Sequence, residues 1–470
     1  MKKIFNISII ISLFIFAGCK KILDENPKGL VSTNNFYNTI DEATAGLIGT
    51  YSFLQPIYDA PSLIFASEMA TDILTVPSSY NADRIWISYD KFDFNASDAF
   101  IFGTYRAAYQ LIGSSNTLIA SLKNKKLPGD STKKPIIEGE AHFLRALTYF
   151  NLVRWFGGVP LVTIPLKDIP SAYVSRATED EVYALILSDL NFAVNNLKET
   201  SEGPGRANKL AALTLLGKVQ LTRKSYTDAL NTLKLVVGKR SLYPKYGDVF
   251  KLNNENNIVE SIFEVQYGIS PENNQIVQYS LPVDISGHGF VYGIFAVPTT
   301  FINSFETADS TRLNVNAFNS WNGNMFGDMT WRLKKYIDAL VPGIQATDAG
   351  EINFPVLRYA DVLLMLAEAQ NEIDASPGAE AYNYINQVRR RAGIPDLVSG
   401  LTKDQFRTAI LQERAKEFIG EGHRWFDLKR TNNLAAFLGT MGFKTGVNEV
   451  FPIPQSEINA NKNLVQNPGY

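Results

Sequence analysis

Apolar side chains recur along this chain mainly with the period of a helix. Phe143, Ala146, Leu147 and Phe150 stand at i, i+3, i+4 and i+7, and the run stops at Gly157-Gly158 ahead of Pro160, which predicts a helix end there. The next helix is expected to start at Thr178. Its hydroxyl can cap the N–H three residues on while Glu181 reaches back, and Val182, Leu185, Ile186, Leu190, Ala193 and Leu197 then share one face. Thr402 and Gln405 repeat the device ahead of Phe406, Ala409 and Ile410, and Ser225 with Asp228 open a helix in a similar way. Strand signals are few. The clearest sets Phe263, Val265 and Tyr267 against Glu264 and Gln266.

A repeat runs through the helical material. Leu216-Gly217 is followed twelve residues later by Ala229, and Ala367 and Ala379 keep the same offset. Small residues let two antiparallel helices approach closely, as in a tetratricopeptide helix pair; ordinary helical hairpins also place Ala at crossings, so the pattern alone leaves both readings open. Residues from about 256 to 354 differ, with frequent Gly, Asn and Pro and poor periodicity. Trp321, Trp331, Phe290, Tyr292 and Phe326 in this stretch argue against disorder. With no Pro/Ser-rich linker, the expectation is one mainly α body, a tetratricopeptide-like helical repeat scaffold over about 36–255 and 355–435, with a loop-rich insertion and few short strands.

The N-terminus changes the picture. Lys2 and Lys3 precede an apolar run from Ile4 to Ala17, about 14 residues against the ~20 a spanning helix needs, so a secretory leader over 1–18 is expected in place of a membrane helix. Ala17-Gly18-Cys19 resembles the lipobox of bacterial lipoproteins, in which the cysteine becomes the acylated first residue, and Asp24-Glu25 resembles an acidic tag for the outer cell surface. Cys19 is the only cysteine, which excludes an intramolecular disulfide and a cysteine-rich metal cluster. Three histidines, His142, His288 and His423, argue against a multi-histidine metal centre. Lys+Arg at 45 against Asp+Glu at 47 gives a formal charge of −2, without the broad positive field of a nucleic-acid binder.

Several segments together resemble the SusD/RagB family of outer-membrane glycan-binding lipoproteins: Glu140 to Phe150 (EAHFLRALTYF) leading to Trp155 to Pro160 (WFGGVP), then Leu357 to Gln370 (LRYADVLLMLAEAQ), Asn386 to Ile394 (NQVRRRAGI) and Glu413 to Arg430 (ERAKEFIGEGHRWFDLKR). Asn34 to Tyr37 and Asn467 to Tyr470 extend the resemblance to both ends. It implies four tetratricopeptide-like units carrying a glycan-binding face, an oligosaccharide ligand, and a SusC-like TonB-dependent transporter over which the lipoprotein sits at the outer membrane, facing outward. Family members carry aromatic residues in a loop soon after the first helices and again in the central insertion. Here the first region holds Tyr80, Asn81, Asp83, Arg84, Trp86 and Tyr89, and the second holds Phe290, Tyr292 and Trp321. Trp86 and Trp321, then Tyr292, are the expected sugar platforms, since flat rings suit the C–H faces of sugars; Arg84, Asn81 and Asp72 are assigned to hydroxyl contacts. Core packing is expected for Trp331. No cofactor is expected, although a structural calcium occurs in the family.

Glu413 to Arg430 gathers Glu413, Glu417, Glu421, His423, Arg424, Asp427 and Arg430, yet lacks the two-histidine spacing of a zinc hydrolase. Charges interleaved with Trp425, Phe426 and Leu428 read instead as buried ion pairs to other helices, for instance to Arg358 and Asp361. No nucleophile elbow, phosphate loop or singled-out carboxylate pair is present. The expected protein is a binder without bond chemistry; the alternative is a tetratricopeptide-type scaffold that takes peptide or protein ligands.

Overall fold

The computed structural model describes residues 37–77, 84–124, 126–166, 168, 170–251, 259–268, 273–281, 292–321, 324–337 and 350–470. Cys19 and the leader lie outside them, as do Tyr80, Asn81, Asp83, His288 and Phe290.

Helices dominate and each packs on the next. α1 (Ile40–Tyr51) lies against α2 (Ala99–Asn124) and α3 (Lys134–Phe156), α4 (Glu179–Asn196) packs on α3, and α5 (Lys209–Thr222) on α4. The stack continues through α6 (Tyr226–Lys234) to α7 (Tyr359–Ile373), which meets both α8 (Ala379–Ala392) and α9 (Lys403–Phe418); α10 (Arg424–Arg430) rests on α9. This is the mostly helical, tetratricopeptide-like scaffold expected.

Local chemistry explains the helix ends. Both predicted capping boxes form, at Thr178 with Glu181 and at Thr402 with Gln405. Ser225 does precede α6 but makes no side-chain cap bond, because its backbone is not extended (ψ 64°), and Asp228 is a methylene shorter than the Glu or Gln a box uses. α3 stops where expected: Gly157 caps it at φ +72°, and a Cβ on Gly158 would lie 2.2 Å from the Ala177 carbonyl oxygen. Of the repeat residues, Ala229 and Ala367 are fully buried, and a Cβ on Gly217 would meet Leu233 Cγ at 2.5 Å. Ala379 is exposed as the first residue of α8, and Ala381 is buried in its place.

Between the two helical blocks the chain forms short strands. β1 (Ser261–Val265) is followed by β2 (Ala296–Val297), β3 (Ala317–Phe318), β4 (Ser320–Trp321), β5 (Asn324–Met325) and β6 (Trp331–Leu333), before β7 (Phe354–Arg358) returns antiparallel to β1 with Val265 opposite Phe354. β6 is the central strand between β2 and β3, while β4 and β5 pair as a hairpin. Phe263 and Val265 point into the core as predicted; Tyr267 lies beyond the strand.

Buried charges fasten this segment to the scaffold. Arg358, 1% exposed, uses all five guanidinium donors: Nε to Glu421 (2.8 Å), Nη1 to Glu260 (2.8 Å) and Glu417 (2.6 Å), Nη2 to Glu421 (2.9 Å) and to the Glu417 carbonyl (2.9 Å). Glu417 also accepts from Arg391, Glu421 from Lys335 (2.7 Å), and Glu413 from Arg312 (2.5 Å) and Arg389 (3.0 Å). A second group joins α5, α7, α9 and α10. Arg414 bonds Asp361 (2.8 Å) and Asp427 (2.7 Å), Lys218 bonds Asp361 (2.9 Å), and Arg430 bonds Glu368 and Asp427. Glu68, from the helix Leu63–Met69, accepts the N–H groups of Gly420 (2.9 Å), Gly422 (3.0 Å) and His423 (3.2 Å); both glycines are left-handed, so the turn's N–H groups converge on one carboxylate. The block from Glu413 to Arg430 is thus a scaffold element, tied to Arg358 and Asp361 as its charge pattern implies.

Burial alone would raise the pKa of Glu417, Asp361 and Asp427. The adjacent cations outweigh it, Arg391, Arg358 and Arg312 for Glu417, Lys218 and Arg414 for Asp361, Arg414 and Arg430 for Asp427, and hold all three well below the usual carboxylate range. A depressed folded-state pKa supplies stability that is complete above the unfolded value and is lost as pH falls below it. The urea midpoint should therefore drop steeply below about pH 4, and Glu417→Gln should flatten that drop while costing about 3–5 kcal/mol at neutral pH. A midpoint insensitive to acid in this range would contradict the assignment.

Candidate functional site

The segment between β1 and β7 brings two aromatic rings to the surface on different supports. Tyr292 is 41% exposed, and its ring lies against Tyr279 at 4.9 Å between centroids. Tyr279 belongs to the short helix Ile276–Ser280 and contacts Trp86 (5.4 Å) and Phe295 (5.6 Å) behind it. Backbone bonds hold the arrangement: the Tyr292 N–H donates to the Gln278 carbonyl (2.8 Å) and the Ile294 N–H to that of Tyr279 (2.6 Å). Trp321 is partly buried in β4, edge-on to Phe318 at 5.8 Å, over a small separate core of Val277, Leu281, Phe318, Phe326 and Ile337. Val277 and Tyr279 come from the same short helix, so one helix underlies both rings. Met325 and Met329, on the strand and turn that follow Trp321, are also exposed.

The predicted site residues separate on inspection. Tyr292 and Trp321 are at the surface with supported rings. Trp86 is not: it is fully buried, its ring 4.6 Å from Phe100 and 5.3 Å from Phe295, and a ring with no accessible face cannot receive a sugar. It is the foundation beneath Tyr279 and Tyr292. Asp72 directs both carboxylate oxygens to Arg424, at 2.7 Å each, which commits it to holding α10. Arg84 is exposed at the start of the helix Arg84–Asp90, and Asn81 lies outside the described residues. Trp331 packs partly buried against the main core, and Tyr89 is buried with its hydroxyl on Asp98 (2.7 Å). Tyr279 had no sequence signal, since its neighbours show no period that marks which ring faces in. Among the described residues no group of three or more His, Cys, Asp or Glu is arranged to hold a metal, and no helix is long and apolar enough to cross a membrane.

A helical-repeat scaffold with its charges paired internally, presenting supported aromatic rings from a strand-and-turn segment, is a binding protein of the SusD type. Residues 23–221 match the family model described as starch-binding associating with outer membrane, and residues 314–470 match the one described as SusD family, about three quarters of the chain together. The chain belongs to the SusD/RagB family of glycan-binding proteins. It is 27% identical over 513 residues to SusD-like protein P2 of Formosa agariphila, with all of both chains covered. Among solved structures it is similar to a SusD homolog from Bacteroides thetaiotaomicron (TM-score 0.82, 26% identity, 93% of this chain and 98% of that one). It is also similar to a laminarin-binding SusD-like protein (TM-score 0.79, 28% identity, 92% and 100%).

The different burial of the two tryptophans sets an expectation. Trp86→Ala should cost about 3–5 kcal/mol in chemical unfolding, whereas Trp86→Phe should cost far less because the indole N–H has no acceptor to lose. Trp321→Ala should change stability by under about 1 kcal/mol. A loss under about 1 kcal/mol for Trp86→Ala would place that ring at the surface and reverse this assignment.

Proposed function

We propose that this protein is a surface lipoprotein, anchored in the outer membrane through acylated Cys19 and facing outward, that captures an oligosaccharide on Tyr292 and Trp321 and hands it to a SusC-like TonB-dependent transporter. The observation that carries the reading is the exposed Tyr292 ring, backed at a 33° tilt by the Tyr279 ring, which itself rests on the core. Such a ring offers apolar area to a sugar face at little ordering cost, because its rotamer is set before the ligand arrives. The name of the laminarin-binding relative makes a β-glucan the first ligand to try. The mechanism is binding and handover, without bond chemistry: the acids of the 413–430 block, the one concentration of carboxylates the sequence singles out, are committed to arginine and lysine in the scaffold. Lipid anchoring rests on the lipobox-like Ala17-Gly18-Cys19, and several acyl chains at about 0.8 kcal/mol per buried methylene hold a globular body stably.

A second reading has one feature in its favour. A groove of about 410 Å³ between α6, α7 and α9, lined in part by Tyr226, Glu372, Arg407 and Phe437, has the mixed apolar and charged walls that suit a peptide.

Calorimetry against laminarin, soluble starch, xylan and mannan separates the readings. Saturable binding to one of them is expected, weakened at least about tenfold in a Tyr292→Ala, Trp321→Ala double variant with an unchanged melting temperature, and with no reducing sugar released. Wild-type affinity in the double variant would remove these rings from the site, and failure to bind any glycan would favour the peptide reading.

A further inference from the structure

Near Tyr292 the chain makes a turn whose construction is unusual for an exposed loop. Met329 is 74% exposed and sits at φ +54°, a left-handed conformation that burdens any residue with a side chain and that glycine adopts freely. Stability alone favours glycine there. The turn is nevertheless held firmly: the Phe326 N–H donates to the Asn319 carbonyl (3.0 Å), the Met329 N–H to that of Phe326 (2.9 Å), and Asp328 accepts from the Thr330 N–H (3.1 Å) and hydroxyl (2.7 Å).

What holds the turn also joins it to the candidate site. Arg332, 3% exposed on the central strand β6, donates through Nη2 to Asp328 (2.5 Å) and through Nε to the carbonyl of Gly293 (2.8 Å), the residue after Tyr292. One buried guanidinium is therefore shared between the neighbour of Met329 and the neighbour of Tyr292. Phe326, which starts the turn, packs at 5.0 Å against Phe318, the ring that supports Trp321. A strained, exposed, apolar side chain on a turn tied to the backbone beside Tyr292 and to the ring beneath Trp321 is the pattern found where a protein holds a ligand contact at the expense of stability.

We propose that Met329 is a specificity-determining contact of this face, an adjustable apolar wall against the C–H surface of a sugar unit next to the one on Tyr292. The inference rests on the glycan-binding reading above. An unbranched thioether has three rotatable bonds and a polarisable sulfur, so it can fit rings of different curvature where a rigid aromatic cannot. Arg332 acts through the turn, fixing where that wall stands.

The test uses the full-length protein and whichever glycan of the laminarin, starch, xylan and mannan panel it binds. Met329→Gly should weaken binding by about five- to tenfold, from the lost apolar contact, while leaving the melting temperature unchanged or higher because the left-handed strain is relieved. Met329→Leu, which keeps the apolar volume, should bind within about twofold of wild type. Wild-type affinity in Met329→Gly, with Trp321→Ala still impaired, would overturn this inference and leave the glycan reading standing. If the wild-type protein binds no glycan, both fall.

Discussion

The guanidinium of Arg358 is the point on which the two parts of the structure agree. It lies where β7 passes into α7, and its five donors meet three carboxylates and a carbonyl drawn from the residue before β1 and from α9 and the turn after it. A lysine could not replace it, since an ammonium has three donors and no planar fork. Exchanging such a cluster for apolar residues can leave a protein equally stable, whereas removing one partner leaves charges stranded in a medium that cannot solvate them. The cluster ties β1, β7, α8 and α9 to one another through a single set of buried charges. Its second effect is to commit these acids to structure, since every one of them is taken up by arginine or lysine.

From that fixed base the aromatic residues form a graded path to the surface. Trp86 is wholly enclosed, Tyr279 is its buried neighbour, and Tyr292 lies outermost and exposed. Each ring packs on the next, so the outermost is backed by the core as well as held by its backbone bonds. A ligand that stacks on such a ring meets a surface already ordered, and binding energy is not spent on ordering it.

Much of this was legible in the sequence, and the failures have physical reasons. Capping boxes are local, and Thr178 and Thr402 were readable because cap and partner are three residues apart. The 413–430 block was readable as scaffold because its charges alternate with large apolar side chains, yet Arg312 and Lys335 could not be foreseen as its partners across separations of 101 and 86 residues. Trp86 misled because it follows a polar stretch, and position along the chain does not reveal that the helix Arg84–Asp90 turns that ring inward. Asp72 misled for the converse reason: its partner, Arg424, is 352 residues away. Tyr292 and Trp321 were assigned through family resemblance, which marks where aromatic residues fall but not what supports them.

The pairing of β1 with β7 has a consequence for how such proteins diversify. Val265 and Phe354 face each other across the ladder, so the 88 residues between them leave and re-enter the scaffold at one place. A segment with adjacent ends can lengthen cheaply, since doubling a flexible loop adds only about 0.6 kcal/mol of closure entropy. The clasp therefore acts as a mounting: turns between its anchor points, such as the one after Trp321, can be lengthened or shortened while the β1–β7 pairing and the bonds from Arg312 and Lys335 to the helices go unaltered. Loop length and structural integrity are in this way separable.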